Sequence, residues 1–334
     1  ELILDQSEQA ARDFIRAIPD GEYSHQTFLD NDRFGDEPVP INVKVAVAGD
    51  EMTVDFTGVA DQSRGPINSG YYGGGQTIAR VALKYLMGSE EMANEGTFRP
   101  LKLVLPLGKI ISADPTAPMF MYPTPFPTVI DAVIKALDKA LPSRVPGGHF
   151  ATHSGVHFYG RRANGTYFDS HDSGHGGWGA CATHDGAGPF RTMAHGDTRI
   201  IPVELQEALY PIRIEEFTLR QDCGGAGKYR GGMGMDVHVQ NLVDGQWNLA
   251  QPHRDNCPPW GLWGGKNGTN EKKFVKFPDA DDFKFVDANR YPVPANTQVR
   301  LNTGTGGGWG DPLDRDPALV AWDVLEGLVS VKAA

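Results

Sequence analysis

Pro142-Ser143-Arg144-Val145-Pro146-Gly147-Gly148 divides the chain into two regions of different pattern. Two prolines and two glycines within seven residues sustain neither helix nor strand. Upstream, Val129, Ala132, Val133, Ala136, Leu137 and Ala140 recur at helical spacing, which predicts a helix from about Thr128 to Leu141, closed by Pro142. Ile78, Val81, Ala82, Tyr85 and Leu86 predict another over 75–87. Ala10, Ala11, Phe14, Ile15 and Ile18 predict a third over 5–18, ended by Pro19-Asp20-Gly21. Val43, Val45 and Val47 alternate, as do Met52, Val54 and Phe56, so a hairpin is expected around Gly49-Asp50. Residues 101–113 read as a short extended pair turning at Leu107-Gly108.

Downstream the pattern changes. Residues 146–200 are rich in Gly and His without a clear period. They are expected to hold short strands joined by long ordered loops, around Gly155–Gly160 and Thr166–Ser170. Ile212, Ile214, Phe217 and Leu219 predict a strand over 211–220, followed by a Gly-rich stretch over 224–234. Further strands are expected near 235–243, 246–250, 272–277, 282–286 and 297–302, and a last helix over about 317–326. The fold class is therefore α+β, in two domains: 1–145, mixed helix and strand, and 146–334, β-rich and loop-rich with a C-terminal helix.

The composition is that of a globular protein: 334 residues, 40% hydrophobic and 22% charged, enough to bury a sizeable core. A net charge of −11 argues against nucleic acid as a partner, since an acidic surface releases no counterions from it. The longest apolar stretches, such as Val129 to Leu141, are broken by charge, so no membrane span is expected. Cys181, Cys223 and Cys257 are far apart and form no Cys-x-x-Cys pair, which disfavours a structural zinc site or a redox dithiol and suggests a reduced, cytoplasmic setting. The chain begins at Glu1 without a basic leader and apolar run, so no signal peptide is expected, and the sequence reads as processed or cut from something longer.

Gly224-Gly225-Ala226-Gly227-Lys228-Tyr229-Arg230-Gly231-Gly232 looks like a phosphate cradle but fails the nucleotide-loop pattern, because Tyr229 follows the lysine and Asp222 stands where a glycine is needed. Gly264-Gly265-Lys266-Asn267-Gly268 fails in the same way, so the glycines are read as turn and close-contact positions, with Lys228 and Arg230 left to pair with an acidic neighbour or an anionic substrate. Seven of the ten histidines fall between His149 and His195. The pairs His153/His157 and His171/His175 have a spacing that shares a metal only on a helix, and the glycines around them argue against helix. On a strand the same spacing puts two rings about 13 Å apart. Polar groups of a substrate pocket on fixed loops, or histidines that simply stabilise those loops, fit better than a metal site. Asp169, Asp172 and Asp185 lie among them, and an Asp–His pair tunes a general base near neutral pH. Cys223, in a glycine turn, reads as a buried and inert thiol rather than a nucleophile. No Gly-x-Ser-x-Gly elbow occurs. The residues picked as catalytic pocket groups are His153, His171, Asp172, His175, His184 and Asp185, from their concentration on glycine loops.

Several strings combine into a resemblance. They are Asp55-Phe56-Thr57-Gly58, Arg64-Gly65-Pro66-Ile67-Asn68-Ser69, Asn94-Glu95-Gly96 with Arg99-Pro100, Gly176-Gly177-Trp178-Gly179-Ala180 with Asp185-Gly186, and Pro202-Val203-Glu204 with Glu207 and Tyr210-Pro211. Asp222 to Gly232, Pro259-Trp260-Gly261-Leu262 and Gly306-Gly307-Gly308-Trp309-Gly310-Asp311-Pro312 complete the series. In this order the chain resembles the C-terminal portion of the hydantoinase B/oxoprolinase family. Cys223 stands where the family usually has Ser, and Trp309 where it has Tyr; both are changes of packing scale.

The resemblance implies a subunit of an ATP-dependent complex. A hydantoinase A-type partner binds ATP with Mg and phosphorylates a carbonyl or enol oxygen, and the B-type subunit completes the reaction. The family's full subunit carries an earlier segment with Asn-Asp-Pro and His/Asp-rich strings, so a divalent metal, zinc or manganese, is expected in that N-terminal part. The implied activity is opening of a small cyclic amide (hydantoin, 5-oxoproline or lactam). Carboxylation of a ketone such as acetone or acetophenone is the alternative, and a non-catalytic structural part of such a complex is a third reading. The glycine loops 176–179, 224–232 and 306–310 are expected either to aim N–H groups at an oxyanion or to allow close subunit contact.

Overall fold

In the computed structural model the chain forms two compact units, Glu1–Pro146 and Gly147–Ala334. The structure describes residues 1–88, 90, 92–172, 174–195, 198–250 and 254–334, without the side chains of 171 and 172.

The first unit runs α1 (Leu2–Arg16), β1 (Gly21–Leu29), β2 (Val39–Ala48), β3 (Glu51–Asp55), α2 (Thr77–Met87), β4 (Leu101–Val104) and α3 (Phe126–Ala136). Its sheet has the order β1-β2-β3-β4. The first three strands are antiparallel and β4 lies parallel to β3. Ile41, Val43 and Val45 alternate with exposed or half-buried residues along β2 and are completely buried, as the period of two requires for a strand with one covered face. α3 packs on β1 and β2 and against α2. Nearly every residue of α3 is buried, Thr128 and Asp131 included, as befits a helix enclosed within a unit.

Three expectations change here. The helix predicted over Thr128–Leu141 begins at Phe126, where prolines occupy the first turn, and stops at Ala136; Leu137 to Leu141 continue as tight turns. The pair predicted over 101–113 is a single strand. β4 takes its partner from β3, and Gly108 merely closes a turn by donating its N–H to the Ser112 carbonyl at 3.0 Å. β1 is an addition: polar Tyr23, Ser24, His25 and Gln26 on an edge strand mask the alternation, although all nine residues pair with β2.

The second unit contains β5 (Val156–Arg161), β6 (Tyr167–Asp172), α4 (Val203–Leu209), β7 (Ile212–Leu219), β8 (Met235–Asn241), β9 (Gly245–Asn248), β10 (Lys272–Lys276), β11 (Lys284–Phe285), β12 (Tyr291–Val293), β13 (Gln298–Asn302) and α5 (Pro317–Leu325). Two antiparallel sheets, ordered β11-β10-β13-β8-β7 and β12-β9-β5-β6, share one core. Phe158, Phe168 and Trp247 come from one sheet and meet Val237, Val239, Val299 and Leu301 from the other, so this part is a β-sandwich. The strands and the last helix fall close to the predicted places. α4 and β12 are additional short elements.

A glycine layer is built from segments far apart in sequence. The Gly177 N–H donates to the Gly304 carbonyl, Gly306 to Gly232, Gly307 to Gly148, and Gly225 to Gly306. A Cβ placed on Gly177 would lie 1.8 Å from the Gly232 oxygen, and one on Gly306 1.9 Å from that of Trp178. Backbone packs on backbone here because no side chain intervenes. No described helix is long and apolar enough to cross a membrane.

Candidate functional site

The loops around β5, β6 and the short turn Met193–His195 rest on a buried ion pair. Glu271 and Lys273, both completely buried beside and on β10, pair directly. The hydroxyls of Thr152 and Ser154 donate to the second Glu271 oxygen. Burial pushes this carboxyl upward, but Lys273 and the two hydroxyls outweigh it and hold the group below the usual glutamate range. A buried charge is tolerated only when it is paired and hydrogen-bonded in this way.

That anchor fixes an unusual loop. Ala151 and Ser154 adopt positive φ of 45° and 43°, conformations that non-glycine residues hold only where their surroundings impose them. The Ser154 carbonyl accepts the Gly174 N–H at 3.0 Å, tying this loop to the one carrying His175. Between the strained residues, His153 Nδ1 lies 3.2 Å from His195 Nε2, with the rings edge to face. The Thr192 hydroxyl lies 3.3 Å from the other ring nitrogen of His195. A neutral His–His pair at this distance shares one proton, one ring donating and the other accepting.

His175 is buried, and its Nε2 has no hydrogen-bond partner among the described residues. Burial, helped by the charge of Arg191, pushes its pKa down to about 4, so the ring is neutral at physiological pH. It borders a cavity of about 20 Å³ between the two sheets, together with Ser170 and Gln206. This space holds about one water, and a ring nitrogen without a protein partner suits one.

Of the six residues picked from the sequence, the four with described side chains are engaged in different surroundings. His153 and His175 lie on the tied loops. His171 and Asp172 end β6, and their side chains lie outside the described part. His184 is exposed and meets Cys181 and Thr183 instead. Asp185 is engaged elsewhere: Arg315 grips both its oxygens at 2.7 and 2.8 Å, and the Arg230 backbone N–H adds a third bond. Burial raises the Asp185 carboxyl, but Arg315 and Arg230 bring it below the usual range. Both arginines continue to Asp323, the buried residue of α5. Arg230 thus finds an acidic neighbour, while Lys228 lies over the Tyr229 ring.

His195, Thr192 and Arg191 carry no local signal of a role in the sequence, and neither do Glu271 and Lys273. A Glu-Lys-Lys run at a strand start reads as solvated charge, and only the fold turns two of its members inward. His157, on β5, approaches Asp169 at 3.5 Å, and burial keeps its pKa below the usual value although Asp169 opposes this. Cys223 is buried as expected; its thiol donates to the Arg220 carbonyl, and burial pushes its pKa up.

Most N–H groups of the glycine loops are spent within the glycine layer. The N–H groups of Gly176, Gly177, Trp178, Gly225, Gly231, Gly232, Gly306, Gly307, Gly308 and Gly310 all donate to backbone carbonyls of the same unit. These ten N–H groups are not available for phosphate or a developing oxyanion. Among the described residues no group of three or more His, Cys, Asp or Glu is placed to hold a metal ion.

The family model for hydantoinase B/oxoprolinase matches residues 1–312. The chain belongs to the hydantoinase B/oxoprolinase family. Over 351 residues it is 30% identical to the B-type component of a putative D-/L-hydantoinase of Pseudomonas sp. (strain NS671), covering 100% of this chain and 58% of that relative. The crystal structure of the ATP-dependent caprolactamase from Pseudomonas jessenii superposes with a TM-score of 0.88 at 28% identity, over 100% of this chain and 59% of the other. Nucleotide-free acetone carboxylase superposes with a TM-score of 0.83 at 18% identity, over 98% of this chain and 50% of that one, which shows a shared fold alone. This hydantoinase B/oxoprolinase chain thus spans about half to three fifths of the length of these three proteins.

Proposed function

We propose that this chain is part of the B-type subunit of an ATP-dependent enzyme that opens small cyclic amides. The observation that carries this reading is the whole-chain likeness to caprolactamase at 28% identity, set against 18% for the ketone carboxylase. The remaining N-terminal part of the subunit and a hydantoinase A-type partner complete the complex. ATP with Mg belongs to the partner, and a zinc or manganese ion to the N-terminal part. The setting is the cytoplasm, in keeping with three free cysteines.

Amide resonance makes a lactam carbonyl a poor target for water. Phosphorylating the carbonyl oxygen removes that resonance. Water then attacks the carbon, and the ring C–N bond breaks as nitrogen gains a proton. A second water releases phosphate from the acyl phosphate that remains. In this reading His153 and His195 take the proton of the first water and deliver it to the nitrogen. Their shared hydrogen bond lets the charge be held by either ring.

The test is turnover by the purified complex with a lactam or hydantoin. One ADP and one phosphate should appear per ring opened, and His153→Ala or His195→Ala should lower kcat by about a hundredfold or more while KM for ATP stays unchanged. Ring opening without nucleotide, or bicarbonate-dependent loss of a ketone in its place, overturns the activity. Unchanged kcat in both variants removes the histidine pair from the chemistry.

A further inference from the structure

We propose that the second unit binds a small monocarboxylate with a short apolar tail in a cavity beside α5. The cavity measures about 260 Å³ and is lined by Arg230, Arg315 and the glycine stretch at Gly224, Ala226 and Gly227. A water takes up about 30 Å³ in the liquid, so the space is large enough for an organic molecule of several heavy atoms.

An arginine side chain carries five N–H hydrogens. Arg315 uses four of them within the protein. Nη1 donates to Asp185 and to the Lys228 carbonyl, and Nη2 to the other Asp185 oxygen and to Asp323. The fifth, on Nε, has no partner among the described residues, although the side chain is only 8% exposed. A buried donor left in this state is costly and calls for an acceptor. The backbone supplies more donors of the same kind. The N–H groups of Gly224, Ala226 and Gly227 donate to no described group, unlike those of Gly225, Lys228 and Tyr229 in the same stretch. Unspent N–H groups close together in a turn attract an anion.

Charge and shape then select the class of anion. Asp185 and Asp323 already balance the two arginines, and Asp222 brings a third carboxylate to the lining. A dianion is repelled there, whereas a single negative charge matches the free Nε–H and backbone N–H groups. Val320 and Val329 line the same space with hydrocarbon, so the rest of the ligand is apolar.

The experiment is isothermal titration of the purified complex with butanoate, with butyramide as the uncharged counterpart and inorganic phosphate as the dianion. Butanoate should saturate a site with a dissociation constant of about 1 mM or below. Butyramide and phosphate should each bind about tenfold more weakly or worse. Val320→Phe and Val329→Phe fill the cavity from two positions without removing any donor, and each should abolish butanoate binding, with urea unfolding as the check that the variant is folded. If one of them does not fold, the other decides, and the ranking of the three probes on the parent protein needs neither. Absence of saturable butanoate heat, which leaves water alone in the cavity, would overturn the proposal. So would butyramide or phosphate binding as tightly as butanoate, or a folded variant that still binds it. None of these measurements involves nucleotide or ring opening, so the proposed activity stands or falls separately.

Discussion

In the first unit β2 sinks Ile41, Val43 and Val45 beneath α3, and the fit is made by branched side chains. The second unit has a comparable apolar core between its sheets, but beside it Gly177 lies against Gly232, and Gly306 against Trp178, with only backbone between them. Cores of side chains tolerate exchange of similar volumes. A backbone-to-backbone contact has no volume to exchange, since each carbonyl occupies the place where a Cβ would go. One unit is thus specified by what its residues carry, and part of the other by what they lack.

The sharpest way to break this contrast is Gly177→Ala. Its Cβ would sit 1.8 Å from the Gly232 oxygen, so a loss of about 4 kcal/mol or more is expected in urea unfolding, enough to unfold the second unit. Gly70→Ala in the first unit, where a Cβ would meet nothing within 4 Å, should stay within about 0.5 kcal/mol. Equal effects at the two positions would end the distinction.

Next in size is Lys273→Met, which strands the Glu271 carboxylate inside the second unit. It should cost about 3–5 kcal/mol by chemical denaturation, and Glu271→Gln added to it should recover most of that loss. A neutral single variant would show that the pair does not anchor the loop of His153.

The smallest effect expected is on pH dependence. His175 titrates at about 4 in the folded chain against 6.5 when unfolded, so the unfolded state binds the extra proton between these values. Stability is therefore complete above pH 6.5 and falls as pH drops toward 4, by about 3 kcal/mol from this group. His175→Gln should flatten that part of an acid unfolding curve. If it leaves the slope intact, another group is responsible.

The legible parts of the sequence are those with a period. The valines of β2, the apolar faces of α1 and α2 and the alternating strands of the sandwich follow from side-chain spacing alone. β1 is hidden because its exposed polar residues break the alternation, and β4 because its partner lies some fifty residues earlier, across α2. The glycine strings show that close contact is required but not with what. The candidate site is legible only in pieces. The histidine density marks the loops on which His153 and His175 lie, yet the contact of His195 and the Glu271–Lys273 anchor depend on distant segments, which no local pattern records.

The glycine layer also governs how the second unit comes into being. Gly304, Gly306 and Gly307 receive or give bonds to Gly177, Gly232 and Gly148, residues made far earlier on the ribosome. Glycine segments have the widest freedom of any in the unfolded chain and so gain little order until their partners arrive. The glycine layer therefore cannot be completed until the late glycines have emerged to meet their early partners.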